Sequence, residues 1–191
     1  MDFYLGLLQI IGVHTLLGLS AYVVLLTGQV SMAQAGFYAI GAYVTAMCTA
    51  MFGFHILPAI IVAGLVAAAV ACVVGFPALR VKGLMLVVAT LAFGEMVRLF
   101  FFNFTWQVDR GGDLIGPNGA EGFRAIRYFP ENGWETGDVT LFIWGVVAVV
   151  MAALWWVDNS RAGAVLRAVG HDEVAAQSIG LNLTAVKVGA M

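Results

Sequence analysis

Charge is scarce in this chain. Of 191 residues only 10% are Asp, Glu, Lys or Arg, against 62% hydrophobic. A mean hydropathy of +0.96 excludes an ordinary soluble domain and marks a polytopic membrane protein. Lys and Arg form no cluster and no aromatic-basic pattern, so nothing points to nucleic acid. Cysteine is almost absent: Cys48 and Cys72 both fall in apolar stretches, which argues against a disulfide framework or a CxxC metal site and makes them packing residues. The histidines, His14, His55 and His171, fall mid-span, at one turn and at the opposite side, so they cannot converge on one metal. No span pairs a nucleophile with a base, and no G-x-x-x-x-G-K-[ST] loop is present. An enzyme is thereby disfavoured, no cofactor or metal is expected, and any ATP used must be held by another chain. The first residues, M-D-F-Y-L, carry an acid where a signal peptide carries positive charge, so the first apolar run reads as a retained helix.

What is there is a series of long apolar runs. They predict an all-α polytopic bundle in one transmembrane domain, with spans over residues 3–26, 35–52, 56–79, 84–106 and 139–157 and the start of another at 184–191. The last run stops after about two turns, which predicts that the chain continues. Ala63, Ala67, Ala71 and Gly75 recur every fourth residue, and Ala35, Ala39, Ala42, Ala46 and Ala50 form a similar row. Such stripes let helices approach closely where lipid is as apolar as the side chains. Pro58 suits a first turn, whereas Pro77 is expected to kink or end its helix. Aromatic residues from Phe100 to Trp106, and Trp155 with Trp156, mark the interfaces.

Orientation follows from the basic residues. Arg80, Lys82, Arg161, Arg167 and Lys187 lie on one side if spans alternate, and that side is cytoplasmic by the positive-inside rule. The amino terminus and the long loop 107–138 then face outward. That loop is acidic and rich in glycine, which predicts a flexible outer face able to meet a binding protein, with Arg124 and Arg127 as contacts for acidic groups.

The connector over residues 158–183 is built as helix that cannot cross a membrane. Ser160 can cap a helix from Arg161 to Val169 that stops at Gly170, and Asp172 can cap a second that stops at Gly180. Each is roughly 12–14 Å long, under half of a ~30 Å hydrocarbon core, so the segment lies at the surface. Val165, Leu166, Val169, Val174, Ala175 and Ile179 give it an apolar side. It reads either as an interfacial connector lying on lipid headgroups or as a docking knob for a soluble protein.

Two constellations carry possible chemistry. Glu95 sits near the middle of its span with Arg98 at i+3, and His14 falls at similar depth in the first span. An ionisable residue there is either part of a polar pathway or a structural ion pair holding helices together. Thr27, Gly28, Gln29, Ser31 and Gln34 interrupt the hydropathy between the first two spans. Unwound backbone of this kind is tolerated in a membrane only where protein buries it or where it lines a cavity, so the stretch is either a pathway element or an ordinary cytoplasmic turn.

Four blocks, L-T-G-Q-V-S-M-A-Q-A-G-F-Y-A-I-G-A-Y at 26–43, F-P-A-L-R-V-K-G-L at 76–84, A-T-L-A-F-G-E-M-V-R at 89–98 and R-A-V-G-H-D-E-V-A-A-Q-S-I-G-L-N at 167–182, resemble the branched-chain amino acid ABC transporter permease family, LivM branch. The resemblance implies a permease subunit of an importer for branched-chain amino acids or related small polar solutes such as urea or short amides. It implies a second permease subunit, cytoplasmic ATPase subunits and an extracytoplasmic solute-binding protein as partners, in a bacterial inner membrane. The last block looks like the segment that docks on the ATPases, which places Arg167, Asp172, Glu173, Ala175, Ala176 and Gly180 at that contact. The family's Gly-Gly is usually preceded by Thr, whereas this loop reads D-R-G-G-D-L-I-G-P-N-G, so no role is carried onto Gly111 and Gly112. Read from residues alone, the alternative is a secondary transporter or channel driven by an ion gradient, with Glu95 as its proton-coupled group.

Overall fold

The computed structural model describes residues 2–78, 81, 83–110, 113–124, 126 and 128–190. Arg80, Lys82, Gly111, Gly112 and Arg127 lie outside the described residues. The long apolar runs become helices because, away from water, only internal hydrogen bonds satisfy the backbone. In order these are α1 (Asp2–Leu26), α2 (Gln34–Ala46), a π-helical turn (Met47–Met51), α3 (Ile56–Ala78) and α4 (Leu84–Asn103). Beyond a stretch of short strands come a short α5 (Tyr128–Glu131), α6 (Thr136–Asp158), α7 (Arg161–His171), α8 (Glu173–Ser178) and α9 (Leu183–Ala190). Helices α1, α3, α4 and α6 are each long and apolar enough to cross a membrane, and the protein is a multi-pass membrane protein built almost wholly of helix.

Contacts fix the directions of the helices. Gln9 of α1 donates to the Thr136 carbonyl and the Thr140 hydroxyl at the start of α6, and Gly12 lies against Ile143, so α1 and α6 run parallel. Gly36 lies against Phe93, and Tyr43 stacks on Phe101 at 3.9 Å between ring centres, so α2 and α4 also run parallel. The core lies between these last two: Ala33, Ile40, Phe93, Val97 and Phe101 are buried together, with Phe37 and Tyr43 packed around them. Helix α3 turns Ala63, Ala71 and Gly75 inward, as the small stripe requires. The alanine row of α2 does not form one buried face, because Ala46 and Ala50 are buried while Ala35 and Ala42 are exposed. Pro77 is accommodated inside the last turn of α3, and Pro58 lies in its first turn.

The loop 107–138 differs from the flexible face expected of it. Val108–Arg110, Asp113–Pro117 and Phe123–Arg124 form an antiparallel sheet, β1-β2-β3. The glycines that read as flexibility make its turns: Gly119 and Gly122 both have positive φ, and Gly116 passes so close to the Trp106 carbonyl that no side chain fits. Trp106 N–H donates to the Pro117 carbonyl at 3.0 Å, and Tyr128 Oη accepts from Ile56 N at 3.0 Å, which fastens the loop to the end of α4 and the start of α3.

Candidate functional site

The stretch from Thr27 to Gln34 is neither a simple turn nor a continuation of helix. Helix α1 ends at Leu26, where Thr27 is fully buried and its hydroxyl donates to the Val24 carbonyl at 2.7 Å. Gly28 takes φ 71°, and the chain then runs without helical hydrogen bonds to Ala33. Its far end is pinned by Thr90: Met32 N–H donates to the Thr90 hydroxyl at 3.0 Å, while that hydroxyl is itself within 2.9 Å of the Leu86 carbonyl on its own helix. Because Gly36 lies beside Phe93 and Gly94, α2 begins level with the middle of α4 rather than with its first turn. The break therefore enters the bundle to about half its depth. Ser31 Oγ accepts from Ala33 N at 3.2 Å, which shapes the entry into α2. Gln29 Oε1 and both amide atoms of Gln34 are buried with no hydrogen-bond partner among the described residues. Such orphaned groups are costly and call for a partner.

Beside the break lies a cavity of about 580 Å³ between α2 and α4, bordered by Met32, Ala35, Tyr43, Gly94, Glu95, Arg98 and Phe101. At one end it reaches the turn at Gly119 and Gly122. Arg98 holds Glu95 with two bonds, Nε to Oε2 at 2.9 Å and Nη2 to Oε1 at 2.6 Å. Both side chains are more than half exposed, and both belong to α4. Among the described residues the pair joins no second helix. His14 takes no part, since its Nδ1 faces the Ile10 carbonyl at 2.8 Å on α1.

At the end of the bundle opposite the three-stranded sheet, α7 and α8 form the connector. Ser160 caps α7 by accepting from Ala162 N, and Asp172 Oδ1 caps α8 by accepting from Val174 N and Ala175 N. Gly180 closes α8 with φ 87°, its N–H donating to Gln177 and that of Leu181 to Ala176. Gly170 is not the expected stop: α7 continues through it to His171, because Gly170 is needed for close approach to the Leu26 carbonyl and to Gly28. Two residues placed at a docking contact are occupied otherwise. Arg167 grips both the carboxylate and the carbonyl of Asp158 at the end of α6, and Ala176 is buried at 2% exposure. Glu173 is engaged by Lys187 Nζ at 2.6 Å from α9. The outward apolar residues here are Val174 and Ala175 of α8 and Ile179 just after it, Val174 and Ile179 being about three-quarters exposed.

The sequence model of the family described as "Branched-chain amino acid transport system / permease component" matches residues 3–191, the whole chain but for two residues. The chain belongs to this permease family. It is similar to the high-affinity branched-chain amino acid transport system permease protein LivM of Salmonella typhimurium and to that of Escherichia coli, each 32% identical over 202 residues that cover 93% of this chain. Those alignments cover 46% of the relatives' length, so the chain spans about half of the proteins it matches. No solved structure matches it significantly. The permease family is a transport component, not an enzyme family.

Within the permease the sequence located the break and the ion pair but not what joins them. Thr90, Tyr43 and Gly170 were missed as site residues, whereas Val174 and Ile179 were already read as part of the connector's apolar side. A threonine inside an apolar run was the available signal for Thr90, since a hydroxyl there needs a carbonyl of its own helix and still offers its lone pairs to a neighbour.

Proposed function

We propose that the chain is part of the membrane subunit of an ABC importer and forms a pathway for branched-chain amino acids or related small polar solutes in a bacterial inner membrane. The observation that carries this is the cavity beside a helix that starts at mid-depth. Broken helices put unpaired backbone dipoles where a polar solute crosses, and here a carboxylate and a guanidinium share the same wall with Met32, Tyr43 and Phe101. An α-amino acid presents an ammonium, a carboxylate and an apolar side chain, each of which finds a complementary group there. Glu95 and Arg98 are thus assigned to the pathway, together with Thr27, Gly28, Gln29, Ser31 and Gln34 of the break.

The partners are a second permease subunit, separate ATPase subunits, a solute-binding protein and the surrounding lipid. The ATPases meet the connector at its outward face, Asp172, Val174, Ala175 and Ile179, while Glu173 and Gly180 hold α8 in shape. Closure of the ATPases pushes on α8, and the spans rock to alternate access. The binding protein meets the outer sheet. Uptake by proteoliposomes holding the full transporter tests this reading: it should require ATP and the binding protein, with leucine, isoleucine, valine, urea and short amides compared as solutes. Uptake driven by a proton gradient without ATP would favour the ion-coupled alternative centred on Glu95.

A further inference from the structure

Two glycines meet where α7 crosses the end of α1. A β-carbon added to Gly28 would lie 3.0 Å from the Gly170 carbonyl oxygen and 3.2 Å from its Cα. One added to Gly170 would collide with the Leu26 carbonyl oxygen and lie 3.1 Å from Gly28 N. Backbone rests on backbone, and the neighbouring Val24, Thr27 and Val169 are at most 1% exposed. A contact so close has no side chain that can bend to absorb a displacement, and packed interiors transmit strain instead of taking it up.

What lies on either side gives the contact its meaning. On one side, α7 is a rigid rod of about 16 Å. It is held from its middle by the Arg167 grip on Asp158 and joined at its end to α8 through Asp172, which caps both helices. Helix α8 is latched in turn by the Glu173 to Lys187 pair, whose lysine side chain is 9% exposed. On the other side, Gly28 opens the extended run to Met32, which is bonded to Thr90 and forms part of the cavity wall. We infer that Gly28 and Gly170 form the joint through which movement of α7 and α8 shifts the 28–33 segment and so alters the cavity. This rests on the importer reading above and names the positioning residues by which its stroke reaches the solute.

The test uses the full-length permease reconstituted with its partner subunits and binding protein, measuring solute uptake and ATP hydrolysis on the same vesicles. Gly170→Ala should keep ATPase co-purification and hydrolysis within about twofold while uptake per ATP falls at least tenfold. Gly189→Ala, whose added β-carbon meets open space, serves as the control and should change neither. Normal coupling in Gly170→Ala would overturn the joint while leaving the importer reading intact, and a wild-type complex without ATP-dependent uptake would overturn both. Should Gly170→Ala not assemble, hydrogen exchange of the wild-type complex with and without a non-hydrolysable ATP analogue decides. Peptides covering 24–33 and 161–178 changing together support the joint, and a change in 161–178 alone refutes it.

Discussion

Around Gly170, main chain touches main chain with no side chain between. Around Glu95, some 580 Å³ stands open beside an ion pair that is more than half exposed. The two regions lie at opposite ends of one short extended run, Gly28 to Ala33. One is built so that nothing can shift independently, and the other so that something can enter. The difference follows from residue choice: glycine on both partners removes all slack, whereas Ala35 and Gly94 facing a paired Glu and Arg leave room and polarity. A segment fixed at its first residue by packing and near its last by one hydrogen bond to Thr90 is suited to carry position from the closed region to the open one.

Substitutions can break this contrast in order of severity. Ala176→Arg should have the largest effect, because an arginine at a 2% exposed position in α8 is buried without a partner, a defect on the order of 3 kcal/mol or more. Loss of ATPase association is expected together with heightened proteolysis across 160–183, and intact protease resistance would show that Ala176 faces outward instead. Next comes the joint Glu95→Leu, Arg98→Leu replacement. Since the pair bridges no helices among the described residues, the protein should insert and purify normally while uptake falls at least tenfold. Full transport in the double variant would return the pair to a structural role. Thr90→Val, the mildest, removes the acceptor for Met32 N–H and should cost about 1–2 kcal/mol of local stability. It should appear as faster amide exchange at Met32 with α4 unchanged, and unaltered exchange would detach the break from α4.

Much of the fold was legible because membrane helices announce themselves by length and apolarity, and the family's four blocks fall on the break, the end of α3, the centre of α4 and the connector. Ser160, Asp172 and Gly180 were readable for the same local reason, since capping depends on residues within one turn. What was not readable is non-local. Gly170 can signal either a helix end or a close approach, and only Leu26 and Gly28, more than 140 residues earlier, decide between them. The depth reached by the break depends on Thr90, 58 residues from its partner Met32. In the loop 107–138, glycine content suggested mobility because composition does not distinguish a loose chain from one whose glycines are each required, Gly119 and Gly122 at positive-φ turns and Gly116 in β2 at a close approach to the Trp106 carbonyl.

The π-helical turn at Met47–Met51 bears on how α2 finishes. Winding one additional residue into a single turn advances the phase of everything after it by about 100° for nearly the same axial rise. The bond from Phe52 N to the Met47 carbonyl at 3.2 Å records that extra residue. An uninterrupted α-helix of the same length would deliver Phe52 to another azimuth, away from the Trp106 ring that it now meets edge-on at 6.2 Å between centres. The helix thus reaches its aromatic anchor by rotation rather than by added length.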